Sequence, residues 1–401
     1  MKIVHVAPSA PYNDNWGYQD NLLPRYHQKA GHETVVVTTN LTHWEGKIVP
    51  VPCGEYVLED GVRVIRLARK DYGHRVLTSL NSRLEVYGLL TRLRPDFLFF
   101  HGLVSSSIRD VARYKRKCNP NCVVVCDNHM DWYNGRTGNS LKERLIRGFY
   151  RWVNRPALKY IDRVYAVTPW RQAYAEDYFG IPASMTEVLV MGADDEKIPF
   201  EKQAELRAAF RMLYGIGEED VLVVTGGKLD RAKQAHLLMQ AVAELDMPQL
   251  KLAVFGTPDE QGKQALEPWE NHPSIRMIGW VPSDEVYRVF LSADLCAFPG
   301  THSVLWEQAV ACRVPCVFKH WEGMHHVDVG GNCAFLYEDS AEEIKRILTQ
   351  ITENEDCLRA MKQAACSDRA GQFLYSRIAR KTVEFAMSAA GGKKEVPRDT
   401  V

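Results

Sequence analysis

The chain has 401 residues, 46% of them hydrophobic and 25% charged, with 50 basic and 50 acidic side chains and a formal net charge of zero. That length exceeds one ordinary core and points to two domains of a globular protein. Zero net charge excludes a global field that would recruit nucleic acid, and no apolar run approaches the ~20 residues of a membrane-spanning helix.

The first eight residues, MKIVHVAP, form a short strand stopped at Pro8. This run is too short for a signal-peptide core and lacks a cleavage site, so a cytoplasmic protein with its ten cysteines mostly reduced is expected. In the first half, strands are expected at 2–7, 34–38, 64–67, 97–100, 122–126 and 163–167, separated by helical patterns such as 21–30 and 105–116. Gly31 closes the first helix. The long loop after the first strand carries Tyr12, Trp16, Gly17 and Tyr18, with Gln19, Asp20 and Asn21 at the start of the helix. Its length and aromatics read as a binding lip.

"FFHGL" and "VVVCDNHMDWYN" put His101, Asp127, Asn128 and His129 at strand ends, where neighbouring polar residues favour a site over purely structural histidines. Cys118, Cys122, Cys126 and His129 could be read as zinc ligands. However, Cys122 and Cys126 flank a strand and lack the usual spacing of ligand pairs, so the structural reading is preferred. From 140 to 171 the chain carries Lys142, Arg144, Arg147, Arg151, Arg155, Lys159, Arg163 and Arg171 against Glu143 and Asp162. Leu141, Leu145, Ile146, Phe149, Trp152 and Val153 interleave at helical spacing, as in helices that lie on anionic bilayers. Packing of that apolar face on the first sheet is the more economical reading.

Gly192, Asp194, Asp195 and Pro199 interrupt regular structure, and the alternation restarts at Asp220. Strands are expected at 221–225, 250–255, 275–278, 295–298, 316–318 and 334–336, with helices at 232–245, 283–291 and 304–312. The expected architecture is α/β: two Rossmann-like doubly wound domains, 1–195 and 196–370, facing a central cleft. A terminal helix within 371–390 would cross back to the first domain, and the polar tail 391–401 is expected to be disordered.

Ligands of such sheets bind beyond the carboxyl ends of the strands. There "VVTGGKLDRAKQAHLL" offers Gly226 and Gly227 for close backbone approach, and Lys228 and Lys233 to converge on one anion. The spacing is neither a Walker loop nor GxGxxG. In "PGTHSVLWEQAVACRVPCVF", a helix beginning near Ser303 or Val304 has free N–H groups for a phosphate. Glu307 follows about one turn later among Leu305, Trp306, Ala309 and Val310, where an unpaired carboxylate is costly to bury. It either accepts hydroxyls of a ligand or pairs with a nearby base. Lysines, helix N–H groups and a carboxylate together fit a nucleotide diphosphate.

In order and spacing these segments resemble glycosyltransferase family 4, retaining sugar-nucleotide transferases with the GT-B fold. The resemblance runs through "MKIVHVAPSAP", "WGYQDN", "KAGHETVVVTT", "VMGADDEKIPF", "GGKLDRAKQ", "FGTPDE", "IRMIGWVPSDEVYRVFLSADLCAFPG" and "EQAVACRVPCV". It implies that Lys228 and Lys233 hold the donor diphosphate, with Lys228 where arginine is usual. Glu307 would be the second glutamate of the E-x7-E element and bind ribose. Thr301, His302, Ser303, Val304 and Leu305 would line the donor, with Gly226, Gly227 and Gly256 beside it and Gly17 under the diphosphate. His129 would lie near the transferred sugar, and Tyr18, Gln19, Asn21, His101, Asp127 and Asn128 on the acceptor side. One departure stands out: Pro299 occupies the first glutamate's position.

The implied reaction moves a sugar from a UDP- or GDP-type donor to an acceptor hydroxyl with retained configuration. No cofactor or metal is expected to be required, since no aspartate-x-aspartate element stands out at a strand end. The implied partners are the donor and a sugar or lipid-linked acceptor, with peripheral contact at the inner membrane face and no nucleic acid. Alternatives are a decayed nucleotide-sugar-binding subunit or another GT-B enzyme of epimerase or phosphorylase type.

Overall fold

The computed structural model describes residues 1–392 apart from 136, 137 and 139, so most of the expected tail lies outside the described residues. The chain divides into two units. One comprises Met1–Val190 and the chain from Ile378 onward; the other comprises Met191–Arg377.

The strands of the first unit are β1 (Lys2–Ala7), β2 (Glu33–Thr39), β3 (Leu41–Trp44), β4 (Lys47–Pro50), β5 (Gly54–Val57), β6 (Arg63–Leu67), β7 (Phe97–Phe100), β8 (Val123–Asn128), β9 (Arg163–Ala166) and β10 (Thr186–Val188). Runs such as Val35–Val37 and Phe97–Phe100 are fully buried, as strands covered on both faces must be. The main sheet has the order β10-β9-β8-β7-β1-β2-β6-β5 and is parallel except for β5, which runs antiparallel to β6. β3 and β4 form a separate hairpin. Neither that hairpin, β5 nor β10 was expected, because these short strands lack a continuous apolar run.

Central β1 pairs with β2 and β7, which places His5 opposite Val36 and Phe99 in the middle of the sheet. The helix Leu141–Leu158 starts with a side-chain cap: the Ser140 hydroxyl accepts the Glu143 N–H at 3.2 Å. Its inward face, Ile146, Tyr150, Val153 and Ala157, joins the core. A second stripe, Leu141, Leu145 and Trp152, remains exposed. The expected choice between core packing and an outward apolar face is therefore resolved as both.

In the second unit, β11 (Val221–Leu229), β12 (Leu250–Pro258), β13 (Ile275–Gly279), β14 (Leu295–Phe298), β15 (Cys316–Lys319) and β16 (Cys333–Leu336) form one parallel sheet in the order β13-β12-β11-β14-β15-β16. Counted within the unit, this is the 3-2-1-4-5-6 order of doubly wound sheets, with its switch point between β11 and β14.

β11 continues past the expected end at 225, because Gly226 and Gly227 pair with Phe255 and Gly256 instead of turning. A Cβ on Gly226 would lie 2.4 Å from Phe255, and one on Gly256 only 1.8 Å from the Gly227 carbonyl oxygen. Gly227 and Gly256 also have φ of +107° and +120°. Gly226 and Gly256 thus permit strand-to-strand approach, while a Cβ on Gly227 would lie 2.7 Å from Leu305 Cδ1.

Candidate functional site

In the second unit, the loops leaving β11 and β14 are joined at the switch point. The Thr301 N–H donates to the Ala232 carbonyl at 3.0 Å, and Lys233 Nζ donates to the carbonyls of Thr301 (2.7 Å) and His302 (3.0 Å). Gly300 is required at this crossing, since its Cβ would lie 2.3 Å from the Ala232 oxygen. The Asp230 carboxylate caps the following 3-10 turn through the Lys233 N–H. It also pairs with Lys228 Nζ at 3.1 Å, and that lysine is 70% exposed. Lys233 is thus built into the loop, whereas Lys228 projects into solvent.

The helix after this loop is Leu305–Ala311, one residue shorter at each end than expected, with Val304 at its N-cap and no side-chain cap. Trp306 anchors it, fully buried and stacked on Phe318 at 4.4 Å. That anchor turns Glu307 inward, where it is also fully buried. His302 Nε2 lies 2.9 and 3.1 Å from its two oxygens, and His326 Nε2 lies 2.9 Å from Oε1. An ionised carboxylate only accepts, so both imidazoles carry their proton on Nε2. Burial alone would raise the Glu307 pKa, but the two facing histidines outweigh it and hold the carboxyl well below its usual range.

The Glu307 carboxylate in this apolar helix is thus paired with two imidazoles. His302, expected to line the donor, is engaged by Glu307. Nδ1 of His326 is buried without a hydrogen-bond partner among the described residues. One ligand atom from each of His302, Glu307 and His326 lies within 4.8 Å of the others, so the trio has the donor set and spacing to take a divalent cation.

In the first unit, strand ends bring His101, Asp127 and His129 together. His101 Nδ1 lies 2.8 Å from Asp127 Oδ2, the Gly102 N–H donates to Oδ1 at 2.7 Å, and His129 Nε2 lies 3.3 Å from Oδ2. Burial opposes ionisation of Asp127, yet His101 and His129 hold its carboxyl far below the ordinary range. Asp20, on the helix Gln19–Lys29, also faces His101 and His129, and burial raises its pKa. His129 is 41% exposed, which leaves it able to reach a ligand.

The other expected acceptor-side residues divide. Gln19 is buried with both amide atoms unpartnered among the described residues. Tyr18 is exposed and packs edge-on against Trp16 at 5.2 Å. Asn21 donates to the Asn13 carbonyl and braces the lip. Asn128 donates to the carbonyls of Met130 and Arg171, so it staples its own loop. A Cβ on Gly17 would meet nothing within 4 Å, so the fold itself does not demand glycine there. Cys122 and Cys126 are buried free thiols of the sheet. His5, His27 and His326 were not singled out in the sequence, because each is a lone histidine with distant partners.

Two doubly wound parallel units, the second with its loops joined at the switch point, define the GT-B class of glycosyltransferases. Residues 22–192 match the family described as Glycosyl transferase 4-like domain, and residues 207–368 match Glycosyl transferases group 1. The chain belongs to the family 4 type of glycosyltransferases and is an enzyme of that kind.

Among solved structures, a glycosyltransferase from Rickettsia africae is similar with a TM-score of 0.71 at 11% identity, over 97% of this chain and 98% of that one. Sucrose-phosphate synthase from Thermosynechococcus elongatus gives a TM-score of 0.68 at 15% identity, over 98% and 100%. Anabaena HepE in complex with UDP gives 0.68 at 15%, over 97% and 100%. At these identities the likeness carries the fold. No curated protein matches the chain by sequence. Among the described residues, no helix is long and apolar enough to cross a membrane.

Proposed function

We propose that the enzyme transfers a sugar from a UDP- or GDP-type nucleotide sugar to an acceptor hydroxyl with retention of anomeric configuration. The observation that carries this reading is the second unit's switch point, where Lys233 is fixed on the loop after β14 and Glu307 follows in the next helix. Lys228 and Lys233 hold the diphosphate, backbone N–H groups around Ser303–Leu305 take its oxygens, and Glu307 accepts from ribose. The leaving group is a nucleoside diphosphate, so stabilising its developing charge is the main catalytic task. The UDP held by HepE supports a uridine donor. On the acceptor side, the first unit offers His129, Asp127, His101 and the Gln19 amide, which is unpartnered among the described residues.

A lipid-linked acceptor at an anionic bilayer fits the exposed Leu141, Leu145 and Trp152 beside the exposed Lys142, Arg144 and Arg155. A groove of about 330 Å³ adjoins Trp152 and is lined by Arg109, Arg113, Arg116 and Tyr160, a lining suited to anionic headgroups.

The test is calorimetric titration with UDP, GDP and their sugars, followed by product analysis with and without EDTA. Binding of one nucleoside diphosphate and chelator-resistant transfer are expected. No binding of any nucleotide would refute the reading, and loss of activity with EDTA would assign a metal to His302, Glu307 and His326. Co-sedimentation with anionic vesicles at low salt tests the bilayer contact separately.

A further inference from the structure

A continuous file of imidazoles runs through the core of the first unit. It begins on the terminal helix, where the Thr382 hydroxyl lies 2.8 Å from His27 Nε2 and 2.8 Å from the Ala379 carbonyl oxygen. His27 Nδ1 lies 3.0 Å from His5 Nε2, and His5 Nδ1 lies 3.0 Å from His101 Nε2. His101 Nδ1 then meets Asp127, which also faces His129. His5 and His27 are fully buried; His5 and His101 stack on Phe99 and on each other, and His27 packs at a tilt against His5 and Phe97. Three buried polar rings in a sheet core are costly unless every nitrogen is satisfied.

Two proton arrangements satisfy this file. In the neutral one, Thr382 donates to His27, His27 Nδ1–H to His5, His5 Nδ1–H to His101, and His101 Nδ1–H to Asp127. In the other, every link except the last is reversed. His101 Nε2–H donates to His5, His5 Nε2–H to His27, and His27 Nε2–H to Thr382, whose own proton goes to the Ala379 carbonyl. His101 still donates Nδ1–H to Asp127, so this arrangement holds one more proton and His101 is an imidazolium. The Ala379 oxygen also lies 3.3 Å from His27 Nε2. A lone pair on that nitrogen would face the carbonyl oxygen, whereas an N–H is satisfied there. The geometry therefore selects the second arrangement.

We propose that His5 and His27 are positioning residues for the acceptor side: their fixed tautomers keep His101 an imidazolium, which holds Asp127 and through it aims His129. The inference rests on the assignment of that cluster to the acceptor. The charges around the file agree with it. Asp127 and Asp20 face the His101 end, His129 adjoins Asp127, and His32 faces the His27 end beside the neutral Ala379 and Thr382. Burial lowers the pKa of His5 and His27. The same burial is outweighed at His101 by Asp127, which raises it.

The test is ring-nitrogen NMR of the full chain labelled with 15N-histidine, wild type against His27→Leu and Thr382→Val. In wild type, His101 shows two protonated nitrogens at pH 7. In His27→Leu, His5 loses its acceptor and the file reverts to the neutral arrangement, lowering the His101 pKa by at least ~1 unit, a tenfold loss of proton affinity. The His129 signals move with it, and the acid limb of the kcat profile shifts.

A neutral His101 in wild type at pH 6 overturns the proposal even if both variants fail to fold. Unchanged His101 or His129 signals in a folded variant also overturn it. The spectra need no substrate, so normal spectra with no transferase activity would refute the functional reading and leave the file standing.

Discussion

Glu307→Gln tests the buried carboxylate most directly. The substitution keeps shape and volume but removes the charge that two imidazoles address. Glutamine with its carbonyl oxygen at the Oε1 position still accepts from both histidines, while its NH2 at the Oε2 position opposes the His302 N–H. The net loss is then about one charge-assisted hydrogen bond, about 1.5–3 kcal/mol. At roughly 2–4 °C for each kcal/mol, the melting temperature should fall by about 3–12 °C. Scanning calorimetry reads that change, and titration with UDP reads the ribose contact in the same preparation. A melting temperature within about 1 °C of wild type would show that the imidazoles do not depend on the carboxylate, and the pairing argument would fail.

Lys233→Ala should weaken nucleoside diphosphate binding by roughly tenfold or more, the loss of one charge-assisted contact, as read by calorimetric titration; unchanged affinity would remove this lysine from the site. Acid should destabilise the protein through Asp127 and Glu307, whose folded pKa values are depressed. Their contribution is present above the unfolded value of about 4 and is lost as pH falls through the folded values, so Asp127→Asn should flatten the fall in urea midpoint below about pH 5. Gly256→Ala combines φ of +120° with a 1.8 Å approach to the Gly227 oxygen; it should abolish soluble expression, and a wild-type circular dichroism melt would contradict the strand-packing account.

What could be read in the sequence follows from the range of each signal. β7 and β14 are continuous apolar runs between turn residues and β1 is one broken only by His5, so their positions could be taken directly from the chain. β10, with three residues, and the half-exposed β3–β4 hairpin carry no comparable pattern. Lys233 and Glu307 were legible because the loops that present them are local in sequence.

Their partners were not. His326 reaches Glu307 from a short 3-10 turn 19 residues away. His5 looks like one polar interruption in an apolar strand until the fold brings up His101, 96 residues on. That Gly226 and Gly227 continue β11 and pair with Phe255 and Gly256 was not legible, because β-pairing is set by tertiary register.

The first unit is discontinuous in the chain, and that orders its assembly. His27 leaves the ribosome 355 residues ahead of Thr382, which meets its Nε2. Lys381 likewise reaches Glu187 and the Val188 carbonyl only after Met191–Arg377 has been translated. The second unit is continuous and complete at that point, so it can finish folding on the nascent chain. The first must wait with its early half formed and a buried imidazole still wet. Emergence of the helix Tyr375–Gly392, rather than of the unit's own sheet, is therefore the event that closes the first unit's core.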